Sequence, residues 1–108
     1  MARGVATFGV TMNFEWDEAK NRTNIRKHGF NLGDAQQMFL GPLLVRPDLR
    51  QDYGEDRWLG IGVANGRIAF VAFTSTSSDT IRIISLRKAN HAERKEYEEA
   101  LQNGLEAH

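Results

Sequence analysis

The sequence predicts an α+β fold, a small antiparallel β-sheet packed with N-terminal helices and a C-terminal helix. Three observations carry that reading. The dipeptide Asn65-Gly66 joins two apolar runs and suits a type I′ hairpin turn, whose central residues both need positive φ. Polar helices with recognisable caps flank the hairpin, one opening at Asp17 and one at Asn90. Residues 81–89, I-R-I-I-S-L-R-K-A, form a further strand of branched apolar side chains leading into the last helix.

In chain order, residues 12–16 alternate apolar and polar side chains as a half-buried strand does. Asp17 is the expected N-cap of a helix over 18–28, with Glu18 in its first turn and Gly29 as the C′ glycine. That helix is polar, with few apolar contacts beyond Ala19, Ile25 and Trp16. Asn31 caps a second helix to Leu40, in which Leu32, Ala35, Met38 and Phe39 share a face, and Gly41-Pro42 stops it. A short strand over 43–46 and a polar loop over 47–56 follow. The hairpin strands span 58–64, with Leu59, Ile61 and Val63 on one face, and 67–74, apolar on both faces and so central in the sheet. A polar turn over 75–80 precedes the strand 81–88. Asn90 with Glu93 makes a capping box for a last helix with the stripe Tyr97, Ala100, Leu101 and Leu105. Residues 1–11 read as a ragged extension outside the fold, leaving 12–108 as one domain.

Composition narrows the function. Fourteen Lys and Arg offset fourteen Asp and Glu, so any anion site comes from local arrangement and not from overall charge. The chain has no cysteine, which excludes thiol catalysis and thiolate metal sites and suits the reducing cytoplasm. No apolar run approaches the length of a membrane span. No grouping of His28, His91 and His108 with carboxylates has metal-ligand spacing, and Gly60-x-Gly62 lies within a strand, so no nucleotide cofactor is expected.

Three groups can carry chemistry. The strand 81–88 bears Arg82, Arg87 and Lys88, with no acidic residue between Thr80 and Ala92. Strict alternation puts Ile81, Ile83, Ser85 and Arg87 on one side and Arg82, Ile84, Leu86 and Lys88 on the other. The two arginines then share a face only if a bulge intervenes. The strand alone does not separate an anion grip from arginine stems that cover apolar neighbours. Lys27-His28-Gly29 ends the first helix, where the dipole favours cations. A histidine with its reference pKa of about 6.5 can exchange protons near neutral pH, although a capping histidine without chemistry is the simpler reading of His28 alone. Glu55 and Arg57 flank the entrance to the hairpin, as a possible base with a nearby cation or as a solvated loop ion pair.

Taken in order, F-E-W-D-E-A-K…N-x-x-K-H-G-F (14–30), G-E-D-R-W-L-G-I-G (54–62) and I-R-I-I-S-L-R-K-A (81–89) resemble the BrnT family, the ribonuclease toxins of type II toxin–antitoxin modules. The resemblance covers roughly residues 12–100. It implies a RelE-like fold, RNA cleavage that inhibits translation, and a BrnA-type antitoxin whose ribbon-helix-helix domain alone contacts operator DNA. The family's basic strand maps onto Arg82, Ser85 and Arg87, its Lys-His-Gly turn onto Lys27, His28 and Gly29, and its Glu-x-Arg element onto Glu55 and Arg57. Leu86 departs from it, standing where the family commonly has alanine. The expected reaction is metal-independent attack of the ribose 2′-hydroxyl on the adjacent phosphate. Arg82 and Arg87, with Arg87 favoured, stabilise the phosphate. Lys27, Arg57, Ser85 and Lys88 bind substrate. Glu55 is the preferred base and His28 the acid, and the two roles can be exchanged. The competing expectation is a non-catalytic module that binds a ribbon-helix-helix regulator.

Overall fold

The computed structural model of the protein describes residues 12–105. Strand β1 (Asn13–Glu15), helix α1 (Glu18–His28) and a 3-10 helix (Leu32–Leu40) come first. Strands β2 (Leu44–Pro47), β3 (Trp58–Ala64), β4 (Arg67–Ser77) and β5 (Thr80–Lys88) and helix α2 (His91–Gln102) follow. The fold is α+β, with one sheet of five strands in the order β1-β5-β4-β3-β2. All neighbours are antiparallel except β1, which pairs with β5 in parallel. The expected ragged extension over 1–11 and the terminal His108 lie outside the described residues.

Local chemistry sets the boundaries. The Asp17 carboxylate accepts the Lys20 N–H at 3.0 Å, and Gly29 (φ 74°) closes α1 through a 2.8 Å bond to the Ile25 carbonyl. Asn65 (φ 54°) and Gly66 (φ 72°) make the β3–β4 turn with both residues at positive φ. The capping box of α2 is complete: Asn90 Oδ1 accepts the Glu93 N–H at 2.8 Å, and Glu93 Oε1 accepts the Asn90 N–H at 2.9 Å.

Elsewhere the structure departs from the sequence pattern. The second helix is a 3-10 helix. Its buried residues Leu32, Ala35 and Met38 recur every third position, the period of that helix, in which i and i+3 eclipse. Strand β4 runs on to Ser77, so only Ser78 and Asp79 turn. Val63 is exposed, whereas Leu59 and Ile61 are buried in a cluster with Tyr97 of α2 that does not include Val63. The glycines of β3 make room for a neighbour. A Cβ on Gly60 would stand 3.1 Å from Leu43 Cδ1 and Val71 Cγ1, and one on Gly62 would stand 3.2 Å from Leu43 Cδ1.

The sheet has a core on each face. On the first face the 3-10 helix places Leu32, Ala35, Met38 and Phe39 against Val71, Phe73, Ile81, Ile83 and Leu86. On the second, Tyr97 covers Leu59, Ile61, Phe70 and Ala72, and its hydroxyl donates to the Pro42 carbonyl at 2.8 Å. As expected, β4 is central.

Helix α1 packs without an apolar stripe. Ile25 is 42% exposed, and the buried residues are Asn21 and Asn24. Strand β1 covers the edge of β5 at residues 80–82, and beyond it the Asn24 amide takes the place of a strand. Its Nδ2 donates to the Leu86 carbonyl at 2.8 Å and its Oδ1 accepts the Leu86 N–H at 3.2 Å. The same Nδ2 donates to the Phe30 carbonyl at 2.9 Å. Asn21 Oδ1 accepts the Leu32 N–H at 2.8 Å, so the two asparagines tie helix, loop and sheet edge together.

Candidate active site

A β-bulge decides which side chains of β5 share a face. Ala72 pairs with Ser85, but Phe73 pairs with Ile83, so β5 carries one extra residue, Ile84, between them. Cross-strand partners project to the same side of a sheet. Arg82, Ser85 and Arg87 stand opposite Thr74, Ala72 and Phe70, which alternate on β4 and therefore occupy the second face. Ile81, Ile83 and Leu86 are buried in the first core. Strict alternation is thus corrected: the extra residue shifts the pattern by one, and Arg82 and Arg87 share a face. Lys88, opposite Ala69, projects to the other side. Leu86 fills the first core, so its departure from alanine is a matter of packing there.

Along the edge of β5, α1 presents Lys20, Thr23, Asn24 and Lys27, which share one helical side at spacings of three and four, with His28 at its end. Together with Ile84 and Ser85 at the bulge they line a groove of about 380 Å³. Arg26, Lys27 and His28 sit in the last turn of α1, where the helix dipole favours positive charge. Among the described residues Lys20, Lys27 and His28 join no ion pair.

The arginines are differently placed. Arg82 pairs with Glu15 of β1 at 2.8 Å on the open surface. Arg87 makes a two-pronged pair with Glu93 at 2.8 and 2.9 Å, donates to the Lys88 carbonyl at 3.2 Å, and lies 4.1 Å over the Phe70 ring. Its side chain is 33% exposed and that of Glu93 only 12%. The Arg87 guanidinium holds the Glu93 carboxyl below its ordinary pKa, against burial that pushes the other way, with the Asn90 N–H assisting. The acidic partners missing from residues 80–92 are thus supplied by β1 and α2.

Glu55 and Arg57 form an ion pair at 3.0 Å, with Arg57 4.1 Å over the Tyr53 ring. Glu55 does not line the groove of His28. It lines a larger hollow of about 610 Å³ with Val45, Asp56, Trp58, Phe73 and Thr74, at the start of β3, which β4 separates from β5. The expected base and acid therefore stand in different hollows, while Lys27, His28 and Ser85 come together. Three participants escaped sequence reasoning. Lys20 lies seven residues before Lys27, a spacing that could have placed both on one helical side. Glu15 and Glu93 are joined to their arginines only by the fold. Among the described residues no three His, Cys, Asp or Glu side chains gather in a way that could hold a metal ion, and no helix is long and apolar enough to cross a membrane.

Comparison with known proteins accords with this layout. None of the curated proteins compared with the chain matches it. A solved structure does, the 1.1 Å crystal structure of the Brucella abortus ribonuclease toxin BrnT, with 37% sequence identity and a TM-score of 0.61, over 75% of this chain and all of that one. The family described as "Ribonuclease toxin, BrnT, of type II toxin-antitoxin system" matches residues 16–93, a span that runs from the entry to α1 through the groove and the bulge to the Glu93 partner of Arg87. The chain belongs to the BrnT family of ribonuclease toxins of type II toxin–antitoxin systems.

Proposed function

We propose that the chain is a metal-independent endoribonuclease that acts in the cytoplasm and inhibits translation by cutting RNA in the groove between α1 and β5. The observation that carries this reading is that Lys20, Lys27, His28 and Ser85 share one groove with no carboxylate paired to its cations among the described residues. The RNA supplies its own nucleophile, the ribose 2′-hydroxyl. His28 takes that proton as the hydroxyl attacks phosphorus and returns it to the departing 5′-oxygen, leaving a 2′,3′-cyclic phosphate and a 5′-hydroxyl. Lys20 and Lys27 meet the charge of the phosphorane, and the Ser85 hydroxyl donates to a phosphate oxygen. Arg82, on the same face as Ser85 and paired with Glu15, would meet the RNA only by exchanging that carboxylate for a phosphate.

In this reading Glu55, in another hollow, is not the partner base of His28, and Arg57, Arg87 and Lys88 act outside the proton transfers. A BrnA-type antitoxin neutralises the toxin, and its ribbon-helix-helix domain is the only link to operator DNA. The second reading, a non-catalytic module that binds such a regulator, draws on one observation: Arg57, Arg82 and Arg87 each already hold a carboxylate.

The test is cleavage of single-stranded RNA by purified protein in excess EDTA, for the wild type, His28→Ala and Glu55→Ala. Loss of a general acid–base group costs on the order of a hundredfold or more, and that loss is expected for His28→Ala with Glu55→Ala far milder. Equal losses would reinstate Glu55 as a catalytic partner. Inactivity in EDTA that magnesium restores would refute metal independence, and no cleavage under either condition would leave the binding module.

A further inference from the structure

The larger hollow lies toward the β2 edge of the sheet, away from the His28 groove at the β5 edge. Its wall residue Val45 stands opposite Gly60, whose missing side chain points at Leu43 and Val71 of the first core, and Trp58 and Phe73 belong to that core as well. A second hollow of about 370 Å³ adjoins it, sharing Glu55, Asp56 and Trp58 and adding Leu49. Two apolar side chains stand open on this surface, Val45 at 41% exposed and Leu49 at 85%, beside the exposed Asp52, Glu55 and Asp56. It borders β2, an edge strand of the sheet.

Charge decides what fits there. Of the carboxylates lining the two hollows, Glu55 is paired with Arg57 and Asp48 with Arg50, which leaves Asp52 and Asp56 without an ion pair among the described residues. Phosphates would meet repulsion there, as they would not in the groove lined by Lys20, Lys27 and His28. A protein segment that pairs apolar side chains with lysine or arginine meets both demands, its apolar groups covering Val45 and Leu49 and its cations meeting the rim. We infer that this hollow is where the protein antitoxin docks, through a cationic, apolar segment, at the edge of the sheet remote from the RNA groove. The inference rests on the toxin–antitoxin reading only for the class of the partner.

The experiment titrates the purified antitoxin of this module onto the full-length toxin by calorimetry, for the wild type, Val45→Asp, Asp56→Arg and His28→Ala. Removing one well-packed interface anchor weakens binding on the order of thirtyfold. Weakening of that size is expected for Val45→Asp, and at least about tenfold for Asp56→Arg, both with RNA cleavage retained. His28→Ala is expected to bind antitoxin like the wild type. If Val45→Asp fails to fold, by circular dichroism, the exposed Asp56→Arg decides. Wild-type antitoxin affinity in the folded hollow variants would overturn the inference. So would loss of cleavage with antitoxin binding intact, which would give the hollow to RNA. Self-association of the free toxin that Val45→Asp abolishes, with antitoxin affinity unchanged, would give it to a second copy and equally overturn it. Failure of the ribonuclease reading shows separately, as a wild-type protein that binds antitoxin but cuts no RNA.

Discussion

Arg87 shows how much a single residue's role depends on what folding brings to it. Read along the chain it is an uncompensated cation in an apolar strand. In three dimensions its guanidinium grips Glu93 with two nitrogens, reaches the Lys88 carbonyl and lies over Phe70. Those contacts bind β5 to the first turn of α2, and Glu93 simultaneously accepts the Asn90 N–H. Arg87→Ala is therefore expected to act first on stability. A charge-assisted pair that is partly open to solvent contributes about 1–2 kcal/mol, which for a domain of this size lowers the melting temperature by roughly 5–15 °C. Thermal unfolding, together with RNA cleavage at a temperature where wild type and variant are both folded, checks it. Unchanged melting with lost cleavage would return Arg87 to phosphate stabilisation. At this scale the candidate cations were legible, because Lys, His and Arg in a helix-end turn and a strand are visible as residue types. Their partners were not, since Glu15 lies 67 residues from Arg82, a distance no local pattern spans.

Two elements determine whether the groove exists. One is the bulge at Ile84, which puts Arg82 and Arg87 on one face. It is a property of the register between β4 and β5, and nothing in the composition of residues 81–88 marks it. The other is α1, whose caps at Asp17 and Gly29 were plain from residue type, whereas its mode of docking was not. Hydrophobic periodicity detects helices that bury an apolar stripe, and α1 buries two asparagines instead. Asn24→Ala is expected to destabilise the protein by about 2–3 kcal/mol, because it strips partners from the buried Leu86 N–H and C=O. It should also lower RNA cleavage without touching the proposed reaction, since α1 would no longer hold Lys27 and His28 against Ser85. Chemical denaturation and a cleavage assay on the folded variant measure both effects. Full stability would mean that water or another side chain replaces the amide at the sheet edge. Full cleavage at reduced stability would mean that the groove does not need this anchor.

For the molecule as a whole, the α+β class, the hairpin and the central place of β4 were readable because caps, Asn65-Gly66 and an all-apolar strand are local signals. The parallel pairing of β1 was not. A three-residue strand has little pattern of its own, and its partner begins at Thr80. The other whole-molecule property is balance of charge, and it predicts how the fold responds to acid. Fourteen cations are offset by fourteen carboxylates, and several of those carboxylates are structural. Asp48 is buried, and Arg50 holds it by two side-chain bonds of 2.8 Å. The Arg50 guanidinium, above all, keeps the Asp48 carboxyl well below the usual carboxylate range, and Arg87 does the same less strongly for Glu93. A carboxyl whose pKa is lowered by folding adds stability that is fully present above its unfolded value, near 4. That stability is lost as pH falls toward the folded value. The Asp48 backbone N–H also bonds the Arg57 carbonyl at 2.8 Å, so this carboxyl organises the loop that enters β3, and Glu93 secures α2. Protonating them loosens both at once, while the remaining cations repel one another. The urea midpoint is therefore expected to hold steady from pH 7 to about 5 and to fall steeply below about pH 4. Asp48→Asn and Glu93→Gln should each begin lower at neutral pH and decline less in acid, and their double variant should be the flattest. Parallel curves for the wild type and all three variants would mean that other carboxylates carry the acid response, and that the charge balance protects the fold through its sum and not through these two pairs.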